Sequence, residues 1–348
     1  MDKVRDYAAA GVDISRAQES LALAKDLIRS THTPNVLSDV GEFGGMYLAS
    51  FPGIEEPVLV ASIDGVGTKT SLAVTPQHFE GIGADIVNHC VNDILAQGAR
   101  PLFFLDYFGA SKIEPQAFQC VLKGVAAACK AVGCALLGGE TAEMPDVYSG
   151  GAFELAGCIV GVVSKAARLP RPDVRPGDAL IALGSTGLHT NGYTLARRVL
   201  FETLALSPDE PHSALGVTPR QALLATHRCY LASVSPLLGH AGPVKGIAHI
   251  TGGGLVDNVP RMLPAGFAAY VDRSTWKEPA LFGLIRTGGV SDSEMLHVFN
   301  LGVGLVMVVE RAESDSVLAT LRAAGDEAWQ IGEVVSGECE VRFGPGPP

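Results

Sequence analysis

The residues whose types most clearly suit ligand binding or catalysis lie in the stretch Ser62–Thr70, Ser-Ile-Asp-Gly-Val-Gly-Thr-Lys-Thr. Asp64 offers a carboxylate to a hard cation, and Lys69 offers an ammonium group to an anion. Gly65 and Gly67 remove side chains where a ligand would approach, and they permit a positive φ. This combination suits a Mg-nucleotide, although a tight turn with an exposed lysine has the same composition. No Walker A pattern occurs in the chain.

A second group of polar residues lies in 83–98, where the apolar periodicity predicts a helix. Its other face carries short oxygen- and nitrogen-bearing side chains rather than the Lys, Arg and Glu of a solvated helix. These polar residues are Asp85, Asn88, His89, Asn92 and Asp93. We expect this face to line a site, with Asp93 sharing a metal with Asp64; the alternative is an ordinary solvated face.

Carboxylates also follow a predicted buried strand at 134–137. The sequence continues Gly138-Gly139-Glu140-Thr-Ala-Glu143, which places two acidic residues after a glycine turn. Ligand sites in sheets with helical crossovers commonly lie at such strand ends. The alternative is an exposed acidic loop.

Two loops in the second half suit an anion. The first, Gly184–Tyr193, is rich in Gly, Ser, Thr and Asn and contains His189; the second is Thr251–Gly254. Each follows a predicted strand and precedes a predicted helix, an arrangement that presents backbone N–H groups to phosphate. We expect a phosphorylated substrate. His189 could donate a hydrogen bond or shuttle a proton, although a lone loop histidine is usually only solvated.

The elements that must position these residues can be read from apolar runs and turn residues. Further predicted strands are 58–61, 101–108, 153–163, 179–183, 246–250, 299–309, 329–335 and 340–343, and further predicted helices are 115–132, 219–238 and 255–262. The segment 168–178 holds three prolines and a glycine and is the best candidate linker. It divides the chain into predicted domains 1–168 and 169–348.

Composition narrows the class of protein. The 348 residues are 47% hydrophobic and 18% charged, which predicts a soluble globular protein with a large core. A net charge of −11 argues against nucleic-acid binding. No signal peptide or membrane span is predicted, and the seven cysteines form no C-x-x-C pair. We therefore expect reduced thiols and a cytoplasmic location.

Six motifs occur in an order that resembles one family, phosphoribosylformylglycinamidine cyclo-ligase, the aminoimidazole ribonucleotide synthetase of purine biosynthesis. The motifs are Asp64-Gly-Val-Gly-Thr-Lys69, Asn92-Asp93 with Gln97-Gly98-Ala99, Gly138-Gly-Glu-Thr-Ala-Glu-Met-Pro145, His189-Thr-Asn-Gly-Tyr193, His249-Ile-Thr-Gly-Gly-Gly254 and Phe299-Asn-Leu-Gly-Val-Gly304. The resemblance runs from about Tyr7 to the last predicted strands. Single motifs are shared with the superfamily, whereas the ordered set is specific.

The resemblance implies a ligase that closes a ring by forming a C–N bond. ATP would phosphorylate the formyl oxygen of formylglycinamidine ribonucleotide to give an iminophosphate. An amidine nitrogen would then attack the same carbon and release phosphate, yielding 5-aminoimidazole ribonucleotide. Positioning and charge neutralisation are the main requirements of phosphoryl transfer. Mg²⁺ is the implied cofactor ion, and K⁺ is a further candidate ion.

Site residues carried over from the resemblance fall into three sets. The metal ligands would be Asp64, Asp93, Glu143 and Glu140. The ATP- or phosphate-binding residues would be Lys25, Gly65, Gly67, Thr68, Lys69, Gly139, Thr251, Gly252, Gly253 and Gly254. The catalytic residues would be Lys69, His189 and Asn191. For Lys25, a solvated helix position is an equal alternative.

The resemblance also implies an α+β fold with two domains, each a mixed sheet packed with helices. N-terminal strands of two subunits would form one barrel in a homodimer, with the nucleotide between subunits and domains. One departure is Glu42 in Asp39-Val-Gly-Glu-Phe-Gly-Gly45, because the family's loop is usually richer in glycine. A carboxylate close to ATP phosphates would be unfavourable unless it turned away or met a metal.

Two other functions remain as alternatives. A small-molecule kinase of the thiamine-phosphate kinase type would share the acidic Mg sites but not the full motif set. A catalytically silent nucleotide-binding scaffold would have no reason to keep Asp64, Lys69, Asp93 and Glu143. A selenophosphate synthetase would need a reactive residue near the N-terminus, whereas the first cysteine is Cys90.

Overall fold

The computed structural model describes residues 24–344, so residues 1–23 of the predicted first domain lie outside the described part. The chain forms two compact units. Of the described residues, the first contains 24–53, Ala61–Val91 and Pro101–Val162. The second contains Ile54–Val60, Asn92–Arg100 and 163–344.

A four-stranded sheet forms the centre of the first unit, with strand order β1-β4-β2-β3. Its strands are β1 (Pro57–Gly65), β2 (Arg100–Ala110), β3 (Ala135–Glu143) and β4 (Phe153–Ser164), and its helices are α1 (Pro76–Leu95) and α2 (Pro115–Ala131). Strands β2 and β3 run parallel and are connected through α2. Helix α2 is therefore the crossover that parallel neighbours require.

Helices α1 and α2 cross at two glycines. A Cβ at Gly83 would lie 2.0 Å from the Val121 carbonyl oxygen, and one at Gly124 would lie 1.9 Å from the Glu80 carbonyl oxygen. The predicted apolar face of α1 is confirmed, because six of its residues have no exposed surface. These residues are Ile86, Val87, Cys90, Val91, Ile94 and Leu95.

The second unit has a six-stranded mixed sheet of order β10-β7-β9-β5-β8-β6. Its strands are β5 (Ala179–Gly184), β6 (Val244–His249), β7 (Phe267–Val271), β8 (Val303–Val309), β9 (Ala328–Ser336) and β10 (Val341–Phe343). Its helices are α3 (Tyr193–Arg197), α4 (Pro219–Leu223), α5 (Leu231–Val234), α6 (Gly254–Asn258), α7 (Ala280–Thr287), α8 (Asp292–Val298) and α9 (Ser314–Ala323). The β10–β7 pair is parallel, and the other pairs are antiparallel.

The packing of strand β5 explains why the sequences of the central strands are unbroken apolar runs. Ile181 and Leu183 pack into one hydrophobic cluster, whereas Leu180 and Ala182 pack into another. Helices therefore cover both faces of this sheet, and both sets of alternating side chains must be apolar.

Three sequence predictions about these elements are wrong in extent. The long helix predicted at 219–238 is interrupted between α4 and α5. Strand β3 continues through Glu143, so Glu140 and Glu143 lie within a strand rather than on a following loop. Strand β8 begins only at Val303, because α8 occupies residues up to Val298.

Within residues 24–344, no helix combines the length and apolar character needed to cross a bilayer.

Candidate functional site

Asp64 lies near the end of β1 with a carboxylate held from two sides. Its Oδ2 is 2.8 Å from Nε2 of His89, and its Oδ1 accepts a 2.6 Å hydrogen bond from the Gly65 N–H. The Asp64 side chain is 43% exposed, whereas that of His89 on α1 is 2% exposed. The buried imidazole therefore orients a carboxylate that still reaches solvent.

Lys69 lies in a 3₁₀ helix, Gly67–Leu72, and is completely buried. Its Nζ is 2.7 Å from Oδ2 of Asp85, which is also fully buried, on α1. Burial lowers the pKa of Lys69 from its ordinary value, and the nearby Asp85 carboxylate acts in the opposite direction. The ammonium group thus neutralises a carboxylate inside the protein, and its contact with an ATP phosphate stays a prediction.

Three further predicted nucleotide residues, Gly65, Gly67 and Thr68, lie where β1 meets the 3₁₀ helix, and Lys25 lies in an earlier segment. Gly67 has a positive φ of 65°, as expected for this turn, and Thr68 after it is exposed. Gly65 is half-buried at the end of β1, and Lys25 is half-buried in a helical segment.

A cavity of about 310 Å³ in this unit is lined in part by Thr70, Phe79, Phe108, Lys112 and Phe153. Sequence reasoning did not predict this cavity, because its lining comes from distant segments.

Glu140 and Glu143 lie on β3, at the opposite edge of the sheet from Asp64 on β1. Glu140 is exposed, and the Glu143 Oε1 accepts a 3.0 Å hydrogen bond from the Ile113 N–H. Three strand spacings of about 4.8 Å each separate the two edge strands. The first unit of one copy therefore does not bring the Asp64 carboxylate and the two glutamates together.

Gly139 makes room for a carboxylate on the neighbouring strand. A Cβ at this position would lie 2.4 Å from Oδ1 of Asp106, its register partner on β2. Burial raises the pKa of the Asp106 carboxyl from 3.8 to about 7. Sequence reasoning missed this carboxyl with a raised pKa, because Pro-Leu-Phe-Phe-Leu-Asp-Tyr-Phe reads simply as a buried strand.

Asp93 and Asn92 belong to the second unit and make different contacts. Asp93 Oδ1 is 2.8 Å from Nδ1 of His249, at the end of β6. The Asn92 amide accepts a hydrogen bond from the Tyr230 N–H at 3.0 Å and donates one to the Arg228 carbonyl at 2.7 Å. Asn92 thus fixes the irregular segment between α4 and α5.

That irregular segment carries His227, a second functional candidate that sequence reasoning missed. His227 is 1% exposed, and its Nε2 lies 3.0 Å from Nε2 of His249. Its ring stacks on that of His189 with 4.0 Å between the ring centroids. No local signal marks it, because Leu-Leu-Ala-Thr-His-Arg-Cys-Tyr continues the apolar period of the helix before it.

His189 occupies the loop between β5 and α3 in a left-handed conformation, with φ of 60°. The Thr186 N–H approaches its Nε2 at 3.3 Å, and the Tyr193 hydroxyl donates to its carbonyl oxygen at 3.0 Å. Asn191 is half-buried in the same loop. Its amide nitrogen is buried and makes no hydrogen bond within the described part of the chain.

The Thr251–Gly254 loop lies beside Asn191. A Cβ at Gly252 would lie 3.3 Å from Oδ1 of Asn191. Gly253 has a φ of 94°, which favours glycine. Asn258, which is 1% exposed, directs its amide nitrogen to the carbonyl oxygens of the loop, at 3.1 Å for Gly252 and 2.8 Å for Gly254. The second unit therefore brings together the predicted anion loop and the predicted catalytic amide.

The sequence matches two family models over most of its length. Residues 52–163 match the AIR synthase related protein, N-terminal domain, and residues 175–343 match its C-terminal domain. The phosphoribosylformylglycinamidine cyclo-ligase of Sorangium cellulosum (strain So ce56) is 45% identical over 333 residues, 95% of each chain. The chain belongs to this family. The motifs that suggested the family in the sequence are thus supported by similarity over nearly the whole chain.

Solved structures share the fold of this cyclo-ligase family at much lower identity. The thiamine-monophosphate kinase of Stenotrophomonas maltophilia K279a has a TM-score of 0.68 at 18% identity, covering 93% of this chain and 96% of that one. The hydrogenase maturation protein HypE in complex with ATP has a TM-score of 0.66 at 19% identity, covering 96% and 92%. At this identity the comparison establishes the fold alone.

The buried Lys69–Asp85 pair leads to a prediction about stability. Lys69→Ala should lower the free energy of unfolding by about 3–5 kcal/mol, because it leaves the Asp85 charge buried without its partner. Lys69→Met combined with Asp85→Leu should recover much of this loss, since both charges are removed. Urea unfolding monitored by circular dichroism would measure the change.

Lys123→Ala, which removes an exposed partner of Glu80, should have little effect and serves as the control. Equal losses for Lys69→Ala and Lys123→Ala would contradict the prediction.

The raised pKa of Asp106 predicts a dependence of stability on pH. Between pH 4 and 7 the unfolded chain ionises this carboxyl whereas the folded chain keeps it protonated, so stability falls as pH rises. Each pH unit in this window should cost about 1.4 kcal/mol from this group. Asp106→Asn should therefore gain stability over the wild type as pH rises to 7, and the difference should then level off. Urea unfolding at several pH values tests this, and a difference that does not change with pH would contradict it.

Proposed function

We propose that this protein catalyses the ATP-dependent cyclisation of formylglycinamidine ribonucleotide to 5-aminoimidazole ribonucleotide, with release of ADP and phosphate, in the cytoplasm. The observation that carries the proposal is the 45% identity, over 95% of both chains, to a phosphoribosylformylglycinamidine cyclo-ligase. The ordered motifs support it, because five of the six contribute residues to the sites described above.

The proposed chemistry has two steps on the substrate. The formyl oxygen takes the γ-phosphoryl group of ATP as the formamide nitrogen loses its proton, giving an iminophosphate and ADP. An amidine nitrogen then attacks the former formyl carbon, loses a proton, and displaces phosphate to close the imidazole. Phosphorylation is needed because the amide oxygen is otherwise a poor leaving group.

His189 and Asn191 are the residues we assign to this chemistry. His189 has a ring nitrogen suited to proton transfer near neutral pH. The buried amide nitrogen of Asn191 has hydrogen-bonding capacity that the described protein atoms do not use. A phosphate or carbonyl oxygen of the substrate would satisfy it, and the neighbouring Thr251–Gly254 loop would hold the ribose phosphate.

Asp64 is the carboxylate whose surroundings fit a hard cation such as Mg²⁺. Asp64 combines partial exposure with an orientation fixed by His89 and the Gly65 N–H. We assign Asp64 as a residue that would hold Mg²⁺, and K⁺ remains a further candidate. Glu140 and Glu143 lie at the other edge of the sheet and Asp93 contacts His249, so their role as metal ligands stays a prediction. When bound, Mg²⁺ supplies neutralisation of the charge on the phosphate oxygens. Lys69 would support the same site from within the protein.

We also propose a homodimer in which first-unit strands of two copies form one barrel. The support comes from β1, an edge strand whose outward positions are apolar. Leu59 is 61% exposed and Ile63 is 73% exposed, on the same face of the strand. A second copy would cover this face, which a monomer would leave in water.

A small-molecule kinase is the second candidate function, favoured by the fold shared with a thiamine-monophosphate kinase. A silent nucleotide-binding scaffold is the third. One assay separates all three. The purified protein would be mixed with formylglycinamidine ribonucleotide, MgATP and K⁺, and ADP and aminoimidazole ribonucleotide would be quantified together by chromatography.

We expect ADP and aminoimidazole ribonucleotide in equal amounts. Asp64→Asn and His189→Asn should each reduce kcat by at least about tenfold. Asp315→Asn and His240→Asn, both at exposed positions, should keep the wild-type rate. ATP turnover without imidazole formation would indicate a kinase, and ATP binding without turnover would indicate a scaffold. Wild-type rates from both site variants would refute the site assignment.

The dimer gives a separate prediction. Ile63→Lys should convert the dimer to monomer, because it places a charge on the apolar face of β1. Val217→Lys, at an apolar residue of the second unit that is 41% exposed, should leave the dimer intact. Sedimentation velocity would measure both. A monomeric wild type, or a dimer that survives Ile63→Lys, would refute this interface.

A further inference from the structure

Three buried imidazoles converge in the second unit, and His227 contacts both of the others. It is 1% exposed. Its ring stacks on that of His189, with 4.0 Å between the ring centroids and 21° between the ring planes. Its Nε2 lies 3.0 Å from Nε2 of His249, and these two rings are tilted by 54°. His227 therefore presents a ring face to one histidine and a ring nitrogen to the other.

The direction of the hydrogen bonds at His227 is set by Asn92. Oδ1 of Asn92 accepts from the Tyr230 N–H at 3.0 Å, and Nδ2 donates to the Arg228 carbonyl oxygen at 2.7 Å, so backbone groups identify both ends of the amide. The same Nδ2 approaches Nε2 of His227 at 3.3 Å. Because an amide nitrogen only donates, Nε2 of His227 is an acceptor, and the ring carries its hydrogen on Nδ1. That hydrogen faces Oγ1 of Thr190, 3.3 Å from Nδ1.

His249 is held between His227 and Asp93. Since Nε2 of His227 accepts, Nε2 of His249 must donate across their 3.0 Å contact. On the other side of the ring, Nδ1 lies 2.8 Å from Oδ1 of Asp93. His249 ends β6 two residues before the Thr251–Gly254 loop, to which we assigned the ribose phosphate. The lone pair of His227 therefore fixes the residue from which this loop departs.

His189 is held by its own loop and, across one ring face, by His227. The Thr186 N–H approaches its Nε2 at 3.3 Å, and its carbonyl oxygen accepts from the Tyr193 hydroxyl at 3.0 Å. His227 comes from a distant segment and covers one face of the ring. A proton-transferring ring needs such support, because rotation about its side-chain bonds would displace the reacting nitrogen.

We propose that His227 is a positioning residue for the cyclisation reaction. Its stacked ring fixes the imidazole of His189, and its Nε2 lone pair fixes His249 before the phosphate loop. One buried side chain thereby sets the proton-transferring nitrogen and the phosphate-binding backbone relative to each other. This positioning role rests on the proposed cyclo-ligase function. It assigns the two contacts of His227 to different kinetic parameters, with stacking affecting kcat and the hydrogen bond affecting KM.

Two substitutions separate these contacts. His227→Gln supplies a carbonyl oxygen for the His249 hydrogen but no ring, so kcat should fall at least about tenfold while KM for formylglycinamidine ribonucleotide stays within about twofold. His227→Phe keeps a ring for stacking but leaves the buried His249 and Asn92 donors unsatisfied, so KM should rise about three- to tenfold and kcat should change less. His240→Gln and His240→Phe, at an exposed histidine of the same unit, are the matched controls and should behave like the wild type.

Thermal melting of each variant accompanies the kinetics and separates positioning from a merely structural role. The proposal would be overturned by the opposite split, by wild-type kinetics from both variants, or by losses of kcat/KM that simply follow the loss of melting temperature. Each of these results leaves the ligase function standing. A wild type that forms no aminoimidazole ribonucleotide would instead refute the proposed function and this role with it.

Neutron diffraction from a deuterium-exchanged crystal of the wild-type protein makes the result independent of whether a variant folds, because it locates the ring hydrogens directly. Deuterium on Nδ1 of His227 and on Nε2 of His249 would support the proposed hydrogen bond. Deuterium on Nε2 of His227 would overturn it, because that nitrogen could then not accept from either Asn92 or His249.

Discussion

The polar face of α1 imposes the constraint on which both candidate sites depend. Asp85, His89 and Asn92 are each at most 2% exposed, so each must find a hydrogen-bond partner inside the protein. Asp85 pairs with Lys69, His89 with Asp64, and Asn92 with the backbone around Tyr230. These contacts fix the 3₁₀ helix after β1, the end of β1 and the segment that carries His227. Asp85 and His89 thereby position side chains of the first unit, and Asn92 positions a segment of the second.

Much of this could be predicted because the pattern is local. The apolar face of α1 follows from a period of 3.6 residues. The absence of Lys, Arg and Glu from its other face predicted a site-lining face, and the structure buries Asp85, His89 and Asn92 there. The central strands of the second sheet were predicted from unbroken apolar runs. The ordered motifs were sufficient to suggest the family, and the similarity to known relatives confirms it.

The parts that could not be predicted depend on contacts between distant residues. Residues 219–238 have the composition of one helix, but Asn92 hydrogen-bonds to two backbone groups near Tyr230 and stabilises an irregular segment. Residues 138–143 look like a loop after a strand, yet pairing with β2 extends β3 through them. Lys69 resembles an exposed phosphate ligand in sequence, and only the fold reveals Asp85 beside it. Tertiary hydrogen bonds outweigh local propensity in each case.

Strand β8 carries a glycine, Gly304, that leaves room for the side chains of Tyr230 and His189. A Cβ at Gly304 would lie 1.9 Å from the Tyr230 hydroxyl oxygen and 2.7 Å from Cε1 of His189. Every other amino acid would add at least this one carbon. Position 304 therefore has no conservative replacement. Evolution can change this residue only if Tyr230 and His189 change with it.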